Sequence, residues 1–414
     1  MRILFVTEVM PDDNGAGSPR RAAQHLRRLA TLGEVTTVLP IAAVSDEPGR
    51  RRVRALGSAH LVVRTEPSLF EMRSSRHERA RSRLERAYHA LRYLPYQDGR
   101  AERAHRRSYA CLSSRPFELV FAFRMQSALW FDSVVEPRKR QMSTRIVDFD
   151  DIESISFRSS IARSAAASTF WDWKMRSHLR WIIRTENALL RDWDAAMLCS
   201  ALDAGRMKRA TGHEPSVVPN AVSFRTISKE PCAGALGLIF VGSLSYAPNT
   251  QGIMWFVDRI WPKITAMLDE DVSLSLVGYN PPPAIIALSH HEGVTVIGNA
   301  PDLDPHYARA NIVIAPILAG SGTRIKIIEA AAKGRAIVTT TIGCEGLDLE
   351  DGVHAEIADT PEAFANAIVR LARDPARRRA LAEAARAHCE ARFSVEAVER
   401  DFLRQIKDVV AART

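Results

Sequence analysis

The residues best placed to do chemistry lie between positions 320 and 330, where a glycine-rich turn passes into a helical pattern. Such a turn leaves backbone N–H groups unpaired at the positive end of the helix dipole, an arrangement that favours phosphate. Arg324 and Lys326 add two positive charges there. Glu329, on roughly the same helix face as Gly322, can accept hydrogen bonds from sugar hydroxyls. This combination suits a nucleotide. The alternative is an ordinary strand–turn–helix with solvated cations.

The strand, loop and helix of residues 312–333 resemble the C-terminal nucleotide-sugar site of retaining glycosyltransferases of the GT-B fold, a family 4-like group. The closest resemblance is to the branch that assembles bacterial exopolysaccharides and cell-surface glycans. Members of that family carry two glutamates in this region, and the second corresponds to Glu329. The first contacts the donor sugar in the family, and Ser321 occupies its position here. The resemblance implies that Glu329 binds ribose and that Ser321, Gly322 and Thr323 belong to the donor site.

The loop after the first predicted strand, residues 11–21, contains Gly15 and Gly17 just before a helix start. Glycines let backbone approach a ligand closely, and the helix N-terminus favours an anion. The loop resembles the glycine loop that GT-B transferases place over the diphosphate and sugar of the donor. The sequence contains no Gly-x-Gly-x-x-Gly and no acidic residue closing the second strand, so NAD binding is not expected.

Three aspartates, Asp148, Asp150 and Asp151, follow a predicted strand and should lie at the carboxyl edge of its sheet. An Asp-x-Asp pair can hold a divalent metal on a diphosphate. We expect no metal here, because the nucleotide site lies in the other half of the chain and Arg324 and Lys326 already supply positive charge. We interpret the aspartates as acceptor-side groups, one of which orients or deprotonates the acceptor hydroxyl. Alternatively, one of them caps the next segment.

Gly242 and Ser243 follow the first predicted strand of the second half. In the resembling family this loop holds the diphosphate from below, and many members carry an arginine and a lysine shortly after it. This chain has Ser-Tyr-Ala-Pro-Asn at residues 245–249 instead. The resemblance therefore assigns the stabilisation of diphosphate charge to Arg324 and Lys326.

Strand-like and helix-like segments alternate along the chain, which predicts an α/β fold built from βαβ units with parallel sheets. We expect a Rossmann-like acceptor-binding domain at residues 1–222 and a Rossmann-like nucleotide-sugar-binding domain at residues 223–393. The resemblance implies the GT-B arrangement, in which the two sheets face each other across a cleft. It also implies that a closing helix at residues 394–414 crosses back to the first domain.

The composition is that of a globular protein, with 414 residues, 46% hydrophobic and 25% charged. No stretch approaches the ~18 apolar residues of a membrane span, and the N-terminus has no secretory signal pattern. Five scattered cysteines without a Cys-x-x-Cys pair predict neither zinc nor disulfides. These features predict a cytoplasmic protein.

The net charge of +9 comes largely from arginines between residues 73 and 107, where Leu84, Tyr88 and Leu91 recur at helical spacing. One interpretation is a solvated arginine face on a helix that packs its leucines inward. A second is a peripheral contact with the anionic inner face of the plasma membrane, which is consistent with a lipid-linked acceptor. Nucleic-acid binding is not expected, because aromatic and basic residues do not interleave and no reader motif accompanies the charge.

The sequence thus predicts a hexosyltransferase-type enzyme that moves a sugar from a nucleoside-diphosphate sugar to a hydroxyl acceptor without a cofactor. The resemblance implies retention at the anomeric carbon and a role in surface polysaccharide or glycoconjugate synthesis. Two alternatives remain open. A non-hydrolysing sugar-nucleotide epimerase uses the same fold, and a non-catalytic nucleotide-binding homologue is consistent with Ser321.

Overall fold

A computed structural model describes residues 1–13, 17–40, 47–63, 116–135, 137–162, 169–224, 236–268, 271–319 and 323–413. The chain divides into two compact units. The first unit comprises Met1–Val218 with Asp401–Thr414, and the second comprises Pro219–Arg400. The division falls between Val218 and Pro219, whereas the sequence predicted a boundary after Val222.

The described part of the first unit contains one parallel sheet of seven strands in the order β3-β2-β1-β4-β5-β6-β7. The strands are β1 Arg2–Thr7, β2 Glu34–Leu39, β3 Ser58–Val63, β4 Leu119–Phe123, β5 Thr144–Asp148, β6 Ala195–Leu198 and β7 Ser216–Val217. The helices are α1 Ser18–Ala30, α2 Glu47–Ala55, α3 Met125–Val134, α4 Pro137–Arg140, α5 Glu153–Ala162, α6 Thr169–Asp192 and α7 Ala201–Thr211.

The strands at the centre of this sheet are buried along nearly their whole length. Strand β1 pairs in parallel with β2 and β4, so that Ile3 lies opposite Val35 and Leu119. All three side chains are fully buried. Parallel strands covered on both faces need apolar residues at every position, which explains why these segments read as continuous hydrophobic runs. The loops that follow β1 and β4 are therefore attached to buried strands.

The described part of the second unit contains a parallel sheet of six strands in the order β10-β9-β8-β11-β12-β13. The strands are β8 Leu236–Val241, β9 Val272–Gly278, β10 Val294–Gly298, β11 Ile312–Ala315, β12 Ala336–Thr339 and β13 Glu356–Ile357. The helices are α8 Ala247–Arg259, α9 Trp261–Met267, α10 Pro283–Ile286, a 3-10 helix Ala287–His290, α11 Asp304–Arg309, α12 Ile325–Ala332, α13 Pro361–Arg373 and α14 Pro375–Phe393.

The closing helix, α15 (Val395–Ala411), begins in the second unit and ends in the first. Within the first unit, the Phe402 ring stacks on the buried His25 ring with centroids 5.1 Å apart. Gln405 Nε2 donates a hydrogen bond of 3.0 Å to the carbonyl oxygen of Val217. The end of the chain is thus part of the core of the first unit.

The described helices include none that is both long and apolar enough to cross a membrane. The arginine-rich segment between residues 73 and 107, with Leu84, Tyr88 and Leu91, lies outside the described residues.

Candidate functional site

In the second unit, the carboxyl end of the sheet brings the loop after β8 against the start of α12. Lys326 Nζ donates a hydrogen bond of 2.6 Å to Asn249 Oδ1 and lies 4.3 Å from the centre of the Phe240 ring. Asn249 Nδ2 in turn donates to the carbonyl oxygen of Ser243 over 2.7 Å. Strand β8 and helix α8 therefore fix the ammonium group beside the turn at Gly242 and Ser243.

Two glycines allow this close packing. A Cβ atom at Gly242 would lie 3.2 Å from Lys326 Nζ and 3.0 Å from Asn249 Nδ2. A Cβ atom at Gly278, the last residue of β9, would lie 1.7 Å from the carbonyl oxygen of Gly242. Any side chain at Gly278 would push the turn away from its place. The two glycines thus let the backbone approach the lysine directly.

The surroundings of Lys326 disfavour its charged form. Burial, with a smaller contribution from the positive charge of Arg324, lowers the pKa of Lys326 to about 7, and the carboxylate of Glu329 opposes the shift. A lysine with a pKa near neutrality changes its charge readily when its surroundings change. An anion bound beside it would favour the ammonium form.

The start of α12 gives the predicted donor residues their places. Arg324 is the residue before the helix and makes no side-chain cap, while the Ile325 N–H donates to the carbonyl oxygen of Thr323 over 3.0 Å. Glu329 lies one turn after Lys326 on a half-buried face, near enough to act on the lysine pKa. The structure thus brings Thr323, Arg324, Lys326 and Glu329 together with Gly242 and Ser243. Ser321 and Gly322 lie outside the described residues.

In the first unit, Asp148 ends β5 and is fully buried. Its Oδ2 accepts hydrogen bonds from Arg21 Nε at 2.9 Å and His25 Nε2 at 2.5 Å, and its Oδ1 accepts from the Asp150 N–H at 2.8 Å. Burial alone would raise the pKa of Asp148, but the Arg21 charge and the His25 hydrogen bond leave it below its usual range. The Asp148 carboxylate therefore attaches α1 to the sheet.

The other two aspartates lie in the turn after β5 and are half-buried. Asp150 has a left-handed backbone with φ of 61°, and its Oδ2 accepts a hydrogen bond of 2.6 Å from Ser18 Oγ. Burial raises the pKa of Asp150, Arg21 opposes this, and Asp148 adds to it. Asp151 Oδ2 accepts a hydrogen bond of 2.9 Å from Ser156 Oγ on α5. Asp151 thus connects the turn to the following helix.

Gly17 lies at the N-terminus of α1 with a left-handed φ of 57°. Helix α1 has no side-chain cap in the described structure, and a Cβ atom at Gly17 would have no atom within 4 Å. The position needs glycine because of its backbone conformation, not because of crowding. Gly15 lies outside the described residues.

A second charged cluster, which the sequence did not reveal, lies at the carboxyl edge of the first unit and consists of Glu8, Arg124 and Glu153. Arg124 follows β4 with φ of 72°, and its N–H donates to the carbonyl oxygen of Asp148 over 2.6 Å. Its Nη1 lies 3.0 Å from Glu8 Oε1 and its Nη2 lies 3.9 Å from Glu153 Oε1. The available signal was position, because Glu8 and Arg124 come directly after buried parallel strands.

Burial raises the pKa of Glu153 to about 8. The charge of Arg124 opposes the shift, while Glu8, Glu186 and Asp151 add to it.

Among the described residues, no group of three or more histidine, cysteine, aspartate or glutamate side chains could hold a metal ion.

Each unit contains a parallel sheet in an α/β arrangement. Together they have the GT-B fold that the resemblance implied, as the similar solved structures show. Residues 235–374, inside the second unit, match the family described as "Glycosyl transferases group 1". The matched stretch contains β8, α8 and α12, and therefore includes the lysine site. The domain and the fold are those of glycosyltransferases.

Two solved structures have the same fold over nearly the whole chain. Sucrose-phosphate synthase from Thermosynechococcus elongatus is 15% identical, with 99% of each chain covered and a TM-score of 0.70. HepE from Anabaena, solved in complex with UDP and glucose, is 14% identical, with 99% of this chain and 100% of that chain covered and a TM-score of 0.64.

A curated relative, an uncharacterized 44.6 kDa protein in the cps region of Klebsiella pneumoniae, is 28% identical over 146 residues. The similar stretch covers 33% of this chain and spans 37% of the length of that relative.

Proposed function

We propose that this protein is a glycosyltransferase that transfers a hexose from a nucleoside-diphosphate sugar to a hydroxyl acceptor, with retention at the anomeric carbon. The observation that carries the proposal is the Lys326 ammonium, held by Asn249 beside the Gly242 turn in the domain that matches group 1 glycosyltransferases. A partly desolvated lysine at a backbone turn is suited to a phosphate group.

In the proposed reaction, the second unit binds the donor. The bond between the anomeric carbon and the diphosphate oxygen breaks, and Arg324, Lys326 and the N-terminus of α12 stabilise the negative charge that develops on the leaving diphosphate. Glu329 accepts hydrogen bonds from the ribose hydroxyls. Gly242 and Ser243 approach the diphosphate with backbone atoms. Three further residues, Ser321, Gly322 and Thr323, complete the donor site.

The first unit binds the acceptor. Asp150 and Asp151 lie beside the acceptor hydroxyl, and Asp148 positions them through the Asp150 N–H. The acceptor oxygen bonds to the anomeric carbon, and its proton passes to an oxygen of the departing diphosphate. Gly15 and Gly17 contact the donor from this side. No metal or organic cofactor takes part in the proposed reaction.

The proposed biological role is the synthesis of a surface polysaccharide or glycoconjugate on the cytoplasmic side of the plasma membrane, with peripheral membrane contact and a lipid-linked glycan as acceptor. The relative from a cps region supports this role. The HepE structure with UDP and glucose supports a uridine diphosphate donor.

The test is a thermal-shift screen with UDP, GDP, ADP and TDP, followed by product analysis with the matching sugar nucleotides. A nucleotide that binds the folded form raises the melting temperature. Transfer that continues in EDTA and yields a new glycoside supports the proposal. A free isomerised sugar nucleotide product would instead identify an epimerase. Tight nucleotide binding without turnover on any acceptor would identify the non-catalytic homologue.

A further inference from the structure

The cluster of Glu8, Arg124 and Glu153 is not used by the roles assigned above. Glu8 and Arg124 directly follow β1 and β4, and Glu153 is the first residue of α5, which follows β5. This is the edge at which open parallel α/β sheets bind their ligands. The side chain of Glu153 is only 5% exposed, and those of Glu8 and Arg124 are 11% and 22% exposed. The cluster therefore runs from the interior toward solvent.

Glu153 is a buried acid without a hydrogen-bond partner. Within the described chain, neither its Oε1 nor its Oε2 has a donor or acceptor in hydrogen-bonding range. The nearest cation, Arg124 Nη2, is 3.9 Å away, while Arg124 Nη1 is 3.0 Å from Glu8. A buried carboxyl group is normally hydrogen-bonded because its desolvation is costly. An unsatisfied carboxyl at a ligand-binding edge points to a partner that arrives with a ligand.

The charges around Glu153 favour its neutral form. Three carboxylates face it from three elements, Glu8 after β1, Asp151 after β5 and Glu186 on α6, against the single cation Arg124 after β4. Glu186 is itself occupied, because its Oε1 accepts the Ser154 N–H over 3.0 Å. The pKa of Glu153, raised to about 8 by burial, agrees with a carboxyl that keeps its proton at neutral pH.

The backbone beside the cluster is strained. Arg124 has φ of 72° and Asp150 has φ of 61°, a region that residues with side chains rarely adopt. Strain of this kind persists where the surroundings hold it, and it concentrates at ligand-binding sites. Here the 2.6 Å hydrogen bond from the Arg124 N–H to the Asp148 carbonyl oxygen holds it.

We propose that Glu8, Arg124 and Glu153 form a sugar-hydroxyl binding site for the acceptor, in which the protonated carboxyl of Glu153 donates a hydrogen bond to a hydroxyl oxygen of a hexose. The inference rests on the proposed function and names its acceptor as a sugar. Each sugar hydroxyl both donates and accepts. The Glu153 carboxyl can make both kinds of hydrogen bond with such a hydroxyl, beside the Arg124–Glu8 pair.

The test uses methyl α-D-glucopyranoside, methyl α-D-galactopyranoside and methyl α-D-mannopyranoside as probes in saturation-transfer NMR with the full chain. With the unaltered protein, we expect transfer to the ring protons of at least one probe at pH 6.5. Between pH 7 and pH 9 binding should fall about tenfold, because ionisation of Glu153 removes its proton and adds a negative charge. Glu153→Gln keeps a donor and cannot ionise, so its binding should not change over this range.

Glu34→Gln is the matched control, since Glu34 is exposed at the amino end of β2 and should leave probe binding and its pH dependence unaltered. The thermal shift produced by UDP at pH 6.5 should be the same in Glu153→Gln as in the unaltered protein. This readout separates the inference from the proposed function: a retained UDP shift with no transfer to any probe overturns the sugar site alone. An equal fall in binding with pH in Glu153→Gln also overturns it.

Glu153→Met tests whether the residue only supports the fold. An unsatisfied carboxyl adds no stabilising contact, so the apolar replacement should raise the melting temperature at pH 9 while abolishing probe binding. A lower melting temperature in Glu153→Met would show that Glu153 is structural and would overturn the proposal.

Discussion

Each unit holds a charged side chain at the carboxyl edge of its sheet, and the surroundings of the two charges differ. In the first unit, the Asp148 carboxylate accepts hydrogen bonds from Arg21, His25 and the Asp150 N–H. In the second unit, the Lys326 ammonium donates to Asn249 and lies over an apolar ring, and its pKa falls to about 7. A charge that the protein neutralises supports the fold, whereas an under-compensated charge is available to a ligand.

The largest expected effect is a loss of folding stability when the Asp148 carboxylate is removed. Asp148→Ala leaves the fully buried Arg21 without its main partner, and removing one member of a buried ion pair typically costs about 3–5 kcal/mol. Urea denaturation followed by circular dichroism should show this loss in the first unit. Asp192→Ala, at an exposed helix end, is the control. A loss for Asp148→Ala no larger than that of the control would mean that Asp148 does not anchor α1.

Replacing Lys326 should have the opposite result, a loss of ligand binding without a loss of stability. Lys326→Met should weaken UDP binding by about 3 kcal/mol, the upper value for a charged hydrogen bond, without lowering the melting temperature of the free protein. Lys263→Met removes a surface lysine paired with Glu362 and should leave the affinity for UDP unchanged. Titration calorimetry measures both. Equal UDP affinity in Lys326→Met and the control would remove Lys326 from the donor site.

The pH dependence of UDP binding tests whether Lys326 has the shifted pKa. Because the pKa of Lys326 is near 7 in the free protein, UDP affinity should fall by up to about tenfold per pH unit as pH rises above 7. Binding at pH 7.5 should take up protons, which calorimetry in buffers of different ionisation enthalpy detects. Lys326→Arg keeps its charge and should lose this dependence. A flat affinity between pH 7 and pH 9 in the unaltered protein would contradict the shifted pKa.

The lowered pKa of Lys326 should also make the stability of the free protein depend on pH. Stability should rise with pH, whereas UDP affinity falls. The unfolded chain binds the Lys326 proton up to a pKa of 10.5, whereas the folded chain releases it near 7. The unfolded state therefore binds more protons between these values, and the contribution of Lys326 to the free energy of unfolding should rise with pH over this range. The difference in melting temperature between Lys326→Met and the unaltered protein, measured at pH 7 and pH 10, checks the sign.

The smallest expected effect concerns the partner of the lysine. Asn249→Ala removes the oxygen that accepts from Lys326 Nζ and should weaken UDP binding by about 1 kcal/mol through loss of positioning. Asn249→Asp should instead raise the pKa of Lys326 and move the pH dependence of UDP affinity upward. If neither change alters UDP binding or its pH profile, Asn249 does not position the lysine.

The sequence predicted the class of fold because alternation of apolar strands and amphipathic helices is a local pattern. It also located the start of α12, where Arg324 and Lys326 follow a glycine-rich stretch of the sequence. It did not reveal that Lys326 contacts Asn249 and Phe240, because those residues come from a distant strand and helix. The places of Gly15, Ser321 and Gly322 remain predictions.

The sequence also did not predict that Asp148 is buried and hydrogen-bonded while the neighbouring aspartates are half-buried. The run from Asp148 to Asp151 looks like one group of equivalent carboxylates. Only the tertiary structure shows that Arg21 and His25, one turn apart on α1, face Asp148 and occupy it. Spacing along a chain says which residues share an edge, but burial and partners decide which of them a ligand can reach.

The first unit needs the last residues of the chain, since Asp401–Thr414 belong to it and Phe402 packs on His25. During synthesis, every residue of the second unit has been joined to the chain before the first unit has its full set. The N-terminal half can therefore complete its core only after the ribosome has added residues 401–414. In this protein the half made first is completed last.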